Sequence, residues 1–98
     1  MEHLMIMAIV PLGYSDKVIE AANNAGANGA TTLRARGADK DGKEGLFSFK
    51  IEPEEEIILI VVSKDIISQV CEAVGKEFKN SERGGSLYLL PVQSVEDL

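Results

Sequence analysis

The sequence predicts an α+β domain of the ferredoxin-like βαββαβ type, with an antiparallel sheet carrying two helices on one face. Three observations lead there. Residues 4–10 and 57–62 are apolar at every position over the length of a strand. Each is followed by a stripe of apolar residues at helical spacing, and each helical stretch is followed by a shorter strand-like segment. The two halves also resemble each other weakly, Ser15-Asp16-Lys17-Val18 answering Ser63-Lys64-Asp65-Ile66. In this arrangement the first and third strands are central, where burial is greatest, and those are the two all-apolar runs.

Taken in order, residues 4–10 form the first strand, closed by Pro11-Leu12-Gly13. Ser15 reads as an N-cap, with Asp16 near the positive end of the helix dipole, and Val18, Ala21, Ala22 and Ala25 line one helix face before Gly26 and Gly29 end it. Residues 30–36 alternate, Thr32, Arg34 and Arg36 facing one way and Thr31, Leu33 and Ala35 the other. Residues 37–45 offer no apolar surface and form a mobile loop. Residues 46–51 read as an extended arm returning from it, which Pro53 breaks before the third strand. Ser63 caps the second helix, whose stripe is Ile66, Ile67, Val70, Cys71, Val74 and Phe78. Residues 80–85 are a polar turn, and residues 86–90 form the last strand, stopped by Pro91.

Ninety-eight residues make a single domain over 1–98, and 45% hydrophobic residues supply a core. The net charge of −6 argues against binding the phosphate backbone of nucleic acid, which calls for a basic surface. Its acidic excess is local, in residues 52–56 and in Glu96-Asp97, and reads as solvated loop and tail. No apolar run approaches the ~20 residues that span a bilayer, so no membrane insertion is expected. Glu2 stands where a signal peptide has Lys or Arg, and Pro11 cuts the apolar run. One cysteine, Cys71, excludes an internal disulfide and fits a reducing, cytoplasmic setting.

A two-layer domain covers one sheet face with its helices and leaves the other open. Met5, Met7 and Ile9 alternate with Leu4, Ile6, Ala8 and Val10, so both faces of the first strand are apolar, as are those of residues 57–62. An open apolar face of this extent marks an interface, and a homo-oligomer through that face is expected.

The segments 29–37 (GATTLRARG), 57–63 (IILIVVS) and 84–92 (GGSLYLLPV), in this order and with the intervening loop, resemble the PII nitrogen-regulatory proteins and their PII-like relatives over nearly the whole chain. The resemblance implies a homotrimer whose sheets line the centre. It implies an adenine nucleotide in a cleft between subunits, held by a T-loop at about 37–52 and a glycine-containing B-loop at about 80–86. It also implies a regulated enzyme or membrane transporter that reads the T-loop, in a setting of nitrogen metabolism. Thr31 and Gly37, with Ala38 beside it, match family positions at the nucleotide, and Ile9 and Val61 match positions lining the base pocket. Arg83, Gly84, Gly85 and Ser86 fall in the B-loop. Glycines let a backbone approach a phosphate and turn N–H groups toward it, so these residues suit a phosphate, although two adjacent glycines before a strand are also an ordinary turn. Asp39, Lys40, Asp41, Gly42, Lys43, Glu44 and Phe47 are then the partner-binding part of the T-loop.

The chain departs from the family pattern in several places. Asp39 replaces the second glycine at the T-loop base, and the glutamine used for metal and 2-oxoglutarate has no counterpart. Glu55 stands near a phosphate-contacting lysine, and the sequence ends at Leu98 without the usual C-terminal arginines. A carboxylate repels a triphosphate. The expected effector is therefore an adenine nucleotide of smaller size or charge (ADP, AMP or a cyclic nucleotide) in preference to Mg-ATP with 2-oxoglutarate, with no cofactor required. Neither Tyr14 nor Tyr88 lies in the T-loop, so control by uridylylation is not expected.

Other functions find little support in the residues. His3 is the only histidine, so neither a His-based metal site nor a catalytic triad can be assembled, and no metal ligand set or enzyme is expected. Cys71 lies on the helix stripe and reads as core. Phe47 and Phe49 share one face of the loop arm and read as packing against a neighbouring subunit. Arg34 and Arg36 are expected to pair across strands with Glu52, Glu54 or Glu56. The alternative is a CutA-like trimeric metal-binding protein, which shares the fold.

Overall fold

The computed structural model describes residues 2–36, 54–80, 84–93 and 95. Its elements run β1 (His3–Pro11), α1 (Ser15–Asn24), β2 (Thr31–Arg36), β3 (Glu54–Ser63), α2 (Ile67–Lys79) and β4 (Ser86–Val92). The strands form one antiparallel sheet in the order β2-β3-β1-β4. The two all-apolar runs occupy its centre, where one face of each lies beneath the helices. This is the ferredoxin-like βαββαβ arrangement.

The register assigns the faces. Ile6 lies opposite Ile60, and Ala8 opposite Ile58. These four, with Val10 and Val62, are buried beneath the helices. Val18 and Ala22 of α1 and Val70 and Val74 of α2, each pair one turn apart, close the core from above. Burying each of the larger side chains contributes about 1.5–3 kcal/mol.

The other parity forms a second face with no helix on it. Met5, Met7 and Ile9 of β1 line up with Val61, Leu59 and Ile57 of β3. Leu90 and Tyr88 of β4 extend these rows on one side and Leu33 of β2 on the other. Leu33 is 50% exposed, Val61 44% and Tyr88 52%. Val61 is exposed although its strand is central, because no element among the described residues covers this side.

Several local expectations need correction. Ser15 is the buried first residue of α1 rather than its cap. Tyr14 holds the N-cap position and makes no capping hydrogen bond with its side chain. Ser63 caps a turn instead of the helix. Its Oγ accepts the Asp65 N–H at 3.1 Å, its carbonyl accepts the Ile66 N–H at 3.1 Å, and α2 begins only at Ile67. Pro91 does not stop the last strand, which runs through it to Val92. β4 is an edge strand, where a missing N–H is tolerated.

The acidic run was expected in a loop, but Glu54, Glu55 and Glu56 open β3 opposite Arg36, Ala35 and Arg34. Arg34 Nη1 lies 3.6 Å from Glu54 Oε1, as the cross-strand pairing anticipated. Both side chains are well exposed, so this pair contributes at most about 1 kcal/mol. The expected arm over 46–51 and the loop over 37–45 lie outside the described residues.

Candidate functional site

At the end of the sheet where β1 finishes and β4 starts, the backbone of the glycine pair meets the strand. Ser86 stands opposite Ile9 in the ladder. Gly84 has φ +72° with no atom within 4 Å of where a Cβ would lie, so its requirement for glycine is conformational. Gly85 is glycine for a different reason: a Cβ there would lie 3.0 Å from the Ile9 carbonyl oxygen and 3.1 Å from the Phe78 ring. Only a residue without a side chain lets this backbone close onto β1 and α2. Ile9, Gly84, Gly85 and Ser86 thus form one contiguous group.

Thr31 and Val61 form another. Both lie on the open sheet face with Ile9, but register separates them from it. Val61 pairs with Met5, four residues before Ile9, and Thr31 pairs with Leu59, which pairs with Met7. With ~3.3 Å per residue and ~4.8 Å per strand, Ile9 lies about 14 Å from Val61 and about 12 Å from Thr31, whereas Thr31 and Val61 lie about 8 Å apart. A purine base cannot touch both groups within one chain. Gly37, Ala38 and Arg83, and the loop residues Asp39, Lys40, Asp41, Gly42, Lys43, Glu44 and Phe47, lie outside the described residues.

β2 ends and β3 begins at the same end of the sheet as the glycine pair, so the base of the 37–52 loop and the 80–86 turn share one rim of the domain. An open hollow of about 290 Å³ lies at that loop base, lined by Arg34, Ala35, Arg36 and Glu54. Of the described residues expected at the nucleotide (Ile9, Thr31, Val61, Gly84, Gly85 and Ser86) it includes none. Among the described residues no group of three or more His, Cys, Asp or Glu side chains could hold a metal ion, and nothing favours the CutA-like reading. No helix among them is long and apolar enough to cross a membrane. Burial pushes the Cys71 thiol above its ordinary value near 9.0, opposite to the activation a nucleophile needs.

Sequence reasoning missed three residues that build this rim. Tyr14 donates its hydroxyl to the Asn80 carbonyl at 2.8 Å, Glu56 Oε1 accepts the Gly13 N–H at 3.3 Å, and Phe78 carries Gly85 on its ring. Phe78 was visible only as a member of the helix stripe, and nothing near Tyr14 in the sequence signals a bond 66 residues away.

Comparison with known proteins agrees with this architecture. Comparison with curated protein sequences returned no match. Among solved structures, the crystal structure of Arabidopsis thaliana PII bound to citrate is similar, with a TM-score of 0.73 and 26% identity, over 93% of this chain and 78% of that one. The family model for nitrogen regulatory protein P-II matches residues 3–98. With the match running through every element of the βαββαβ order, this chain belongs to the nitrogen regulatory protein P-II family.

Proposed function

We propose that this chain is a homotrimeric signalling protein that binds an adenine nucleotide between subunits and passes its ligand state to an enzyme or membrane transporter through the loop at 37–52. The observation that carries this reading is the division of the candidate residues into two groups that share one sheet face, left open by the described elements, through Ile9 and Ser86 in one and Thr31 and Val61 in the other. Ile9 with Gly84, Gly85 and Ser86 offers a backbone suited to phosphate and one apolar wall. Thr31 and Val61, about 12 and 14 Å from Ile9 at the far side, offer the other wall. Copies packed through their open faces would bring the second group of one chain to the first group of its neighbour, which no single chain can do. Burying Leu33, Val61 and Tyr88 would drive that assembly.

Family membership supports a regulatory role in nitrogen metabolism. The Arabidopsis protein bound to citrate shows a PII fold with a small polyanion, and the phosphates of a nucleotide belong to the same chemical class. The test is calorimetry of the purified chain with ATP, ADP, AMP and cyclic nucleotides, with citrate as a comparison anion. Saturable binding of one of the nucleotides is expected, with weaker or no binding of citrate. Absence of binding to all of them at millimolar concentration would remove the nucleotide from the proposal. Limited proteolysis at Lys40 and Lys43, with and without the bound nucleotide, tests the loop, and protection is the expected result.

A further inference from the structure

We propose that Tyr14 is a positioning residue for the Gly85–Ser86 backbone, acting through Asn80 and Phe78. The phenol of Tyr14 donates to the carbonyl of Asn80 at 2.8 Å. Asn80 is the C-cap of α2, and the last carbonyls of a helix lack partners within it. A hydroxyl delivered from α1's N-cap position therefore satisfies an acceptor that would otherwise turn to water. The Asn80 N–H in turn bonds the Glu77 carbonyl at 3.1 Å, so the final turn of α2 is closed at the same point.

Tyr14 is itself firmly placed. Its ring packs against the core, and Lys17 Nζ stands 5.3 Å from the ring centroid, a cation–π geometry. Its backbone N–H bonds the Pro11 carbonyl at 3.1 Å, and the preceding Gly13 N–H is held by the Glu56 carboxylate at 3.3 Å. The turn bearing Tyr14 is thus tied to β1 and β3, and its hydroxyl ties both to the end of α2. Phe78 lies two residues before Asn80, and its ring is the surface on which Gly85 rests, with room for no Cβ. Movement of the last turn of α2 would move that ring, and with it the backbone that Ser86 aligns against Ile9. Tyr14 needs no contact with a ligand to affect its binding.

This inference rests on the nucleotide reading only for its ligand arm. The variant is Tyr14→Phe in the full chain, which keeps the ring, its packing and the Lys17 contact and deletes one oxygen. Amide hydrogen exchange is measured without ligand, and ADP affinity is measured by calorimetry. Exchange at Lys79, Asn80 and Ser86 is expected to quicken by about fivefold, the population shift that loss of one hydrogen bond of about 1 kcal/mol produces, with Met7 in β1 unchanged. The ADP dissociation constant is expected to rise by a similar factor. Unchanged exchange at these amides would overturn the positioning role, as would a uniform rise that includes Met7. Faster local exchange with unaltered ADP affinity would overturn its connection to the ligand. If the unmutated chain binds no ADP, the affinity arm uses whichever of ATP, AMP or a cyclic nucleotide it does bind; if it binds none, the nucleotide reading fails separately, and the exchange result alone upholds or overturns the positioning of the Gly85–Ser86 backbone.

Discussion

Replacing Leu33 by Asp tests whether the open sheet face joins copies of the chain. Leu33 is half exposed on the single chain, so an interface there would bury the remaining half. At about 1.5–3 kcal/mol for complete burial of such a side chain, each copy would gain about 1 kcal/mol from this residue. Leu33→Asp removes that gain and asks the interface to cover an unpaired carboxylate, a further cost of several kcal/mol per copy. The new charge would also lie diagonally across from Glu55, on the same face. Summed over a trimer the loss exceeds about 10 kcal/mol, and each 1.4 kcal/mol is tenfold in an association constant. Complete dissociation at micromolar concentration is therefore expected. Thr32→Asp is the control: it adds the same charge to the same strand, exposed but on the opposite face. Sedimentation equilibrium at 1–50 µM, roughly the range in which dissociation constants near −8 kcal/mol are read, compares both variants with the unmutated chain. An unmutated chain that is monomeric and well folded, or a Leu33→Asp variant that keeps the mass of Thr32→Asp, would refute the reasoning.

Ile60 is 1% exposed at the heart of the core, and Ile60→Ala should lower the unfolding free energy by about 2–5 kcal/mol in urea titrations, while Leu12→Ala, at an exposed turn position, should change it by less than about 0.5 kcal/mol. Gly84→Ala should cost about 1 kcal/mol through its positive φ, and Gly85→Ala about 1–3 kcal/mol because the methyl group meets a backbone oxygen that cannot swing aside; calorimetric unfolding should rank them in that order. For Cys71 the folded thiol keeps its proton to higher pH than the unfolded one, so stability should fall as pH rises past about 9.0, and the urea midpoint of the unmutated chain should drop more steeply between pH 8 and pH 10 than that of Cys71→Ala.

The fold was legible where a pattern is local. Consecutive apolar residues in 4–10 and 57–62 could only belong to central strands, and the i, i+4 pairs Val18/Ala22 and Val70/Val74 marked the buried helix faces. The alternation of Leu33 with Thr32 and Arg34 put them on opposite sides of the sheet, as they lie. What failed was local chemistry that tertiary context overrides. Ser15 and Ser63 have the right side chains for helix caps, but Ser15 sits one residue past the N-cap of α1 and Ser63 three residues before that of α2. Pro91 reads as a strand stop unless its strand is known to be an edge, and Glu54, Glu55 and Glu56 read as loop unless Arg34 and Arg36 are known to lie opposite. Alternation within each strand did not say that Ile9, Thr31 and Val61 share one face, which the ladder shows. Their separation was not legible, because it depends on which residue of β3 pairs with which of β1, and several registers would have buried the same apolar set.

That register has a functional consequence reaching beyond the placement of three residues. Had Val61 paired near Ile9, a single chain would have offered both walls of a base pocket, and ligand binding would have carried no information about assembly. With Ile57 opposite Ile9 instead, the function proposed above gives each chain two half-sites on one face, which a neighbour would complete. On the proposed reading, ligand affinity and subunit association then become linked: whatever strengthens one strengthens the other, by the same free energy. The rim that carries Gly85 is also the rim from which the 37–52 loop departs, since β2 ends and β3 begins there. A ligand seated between chains at this rim lies beside the base of the loop while its own position is set by the glycine backbone. It can shift the loop only to the extent that it binds one loop state better than another. The carboxylates of Glu54 and Glu55, at the first positions of β3, make the charge of the bound ligand one physical basis for that difference.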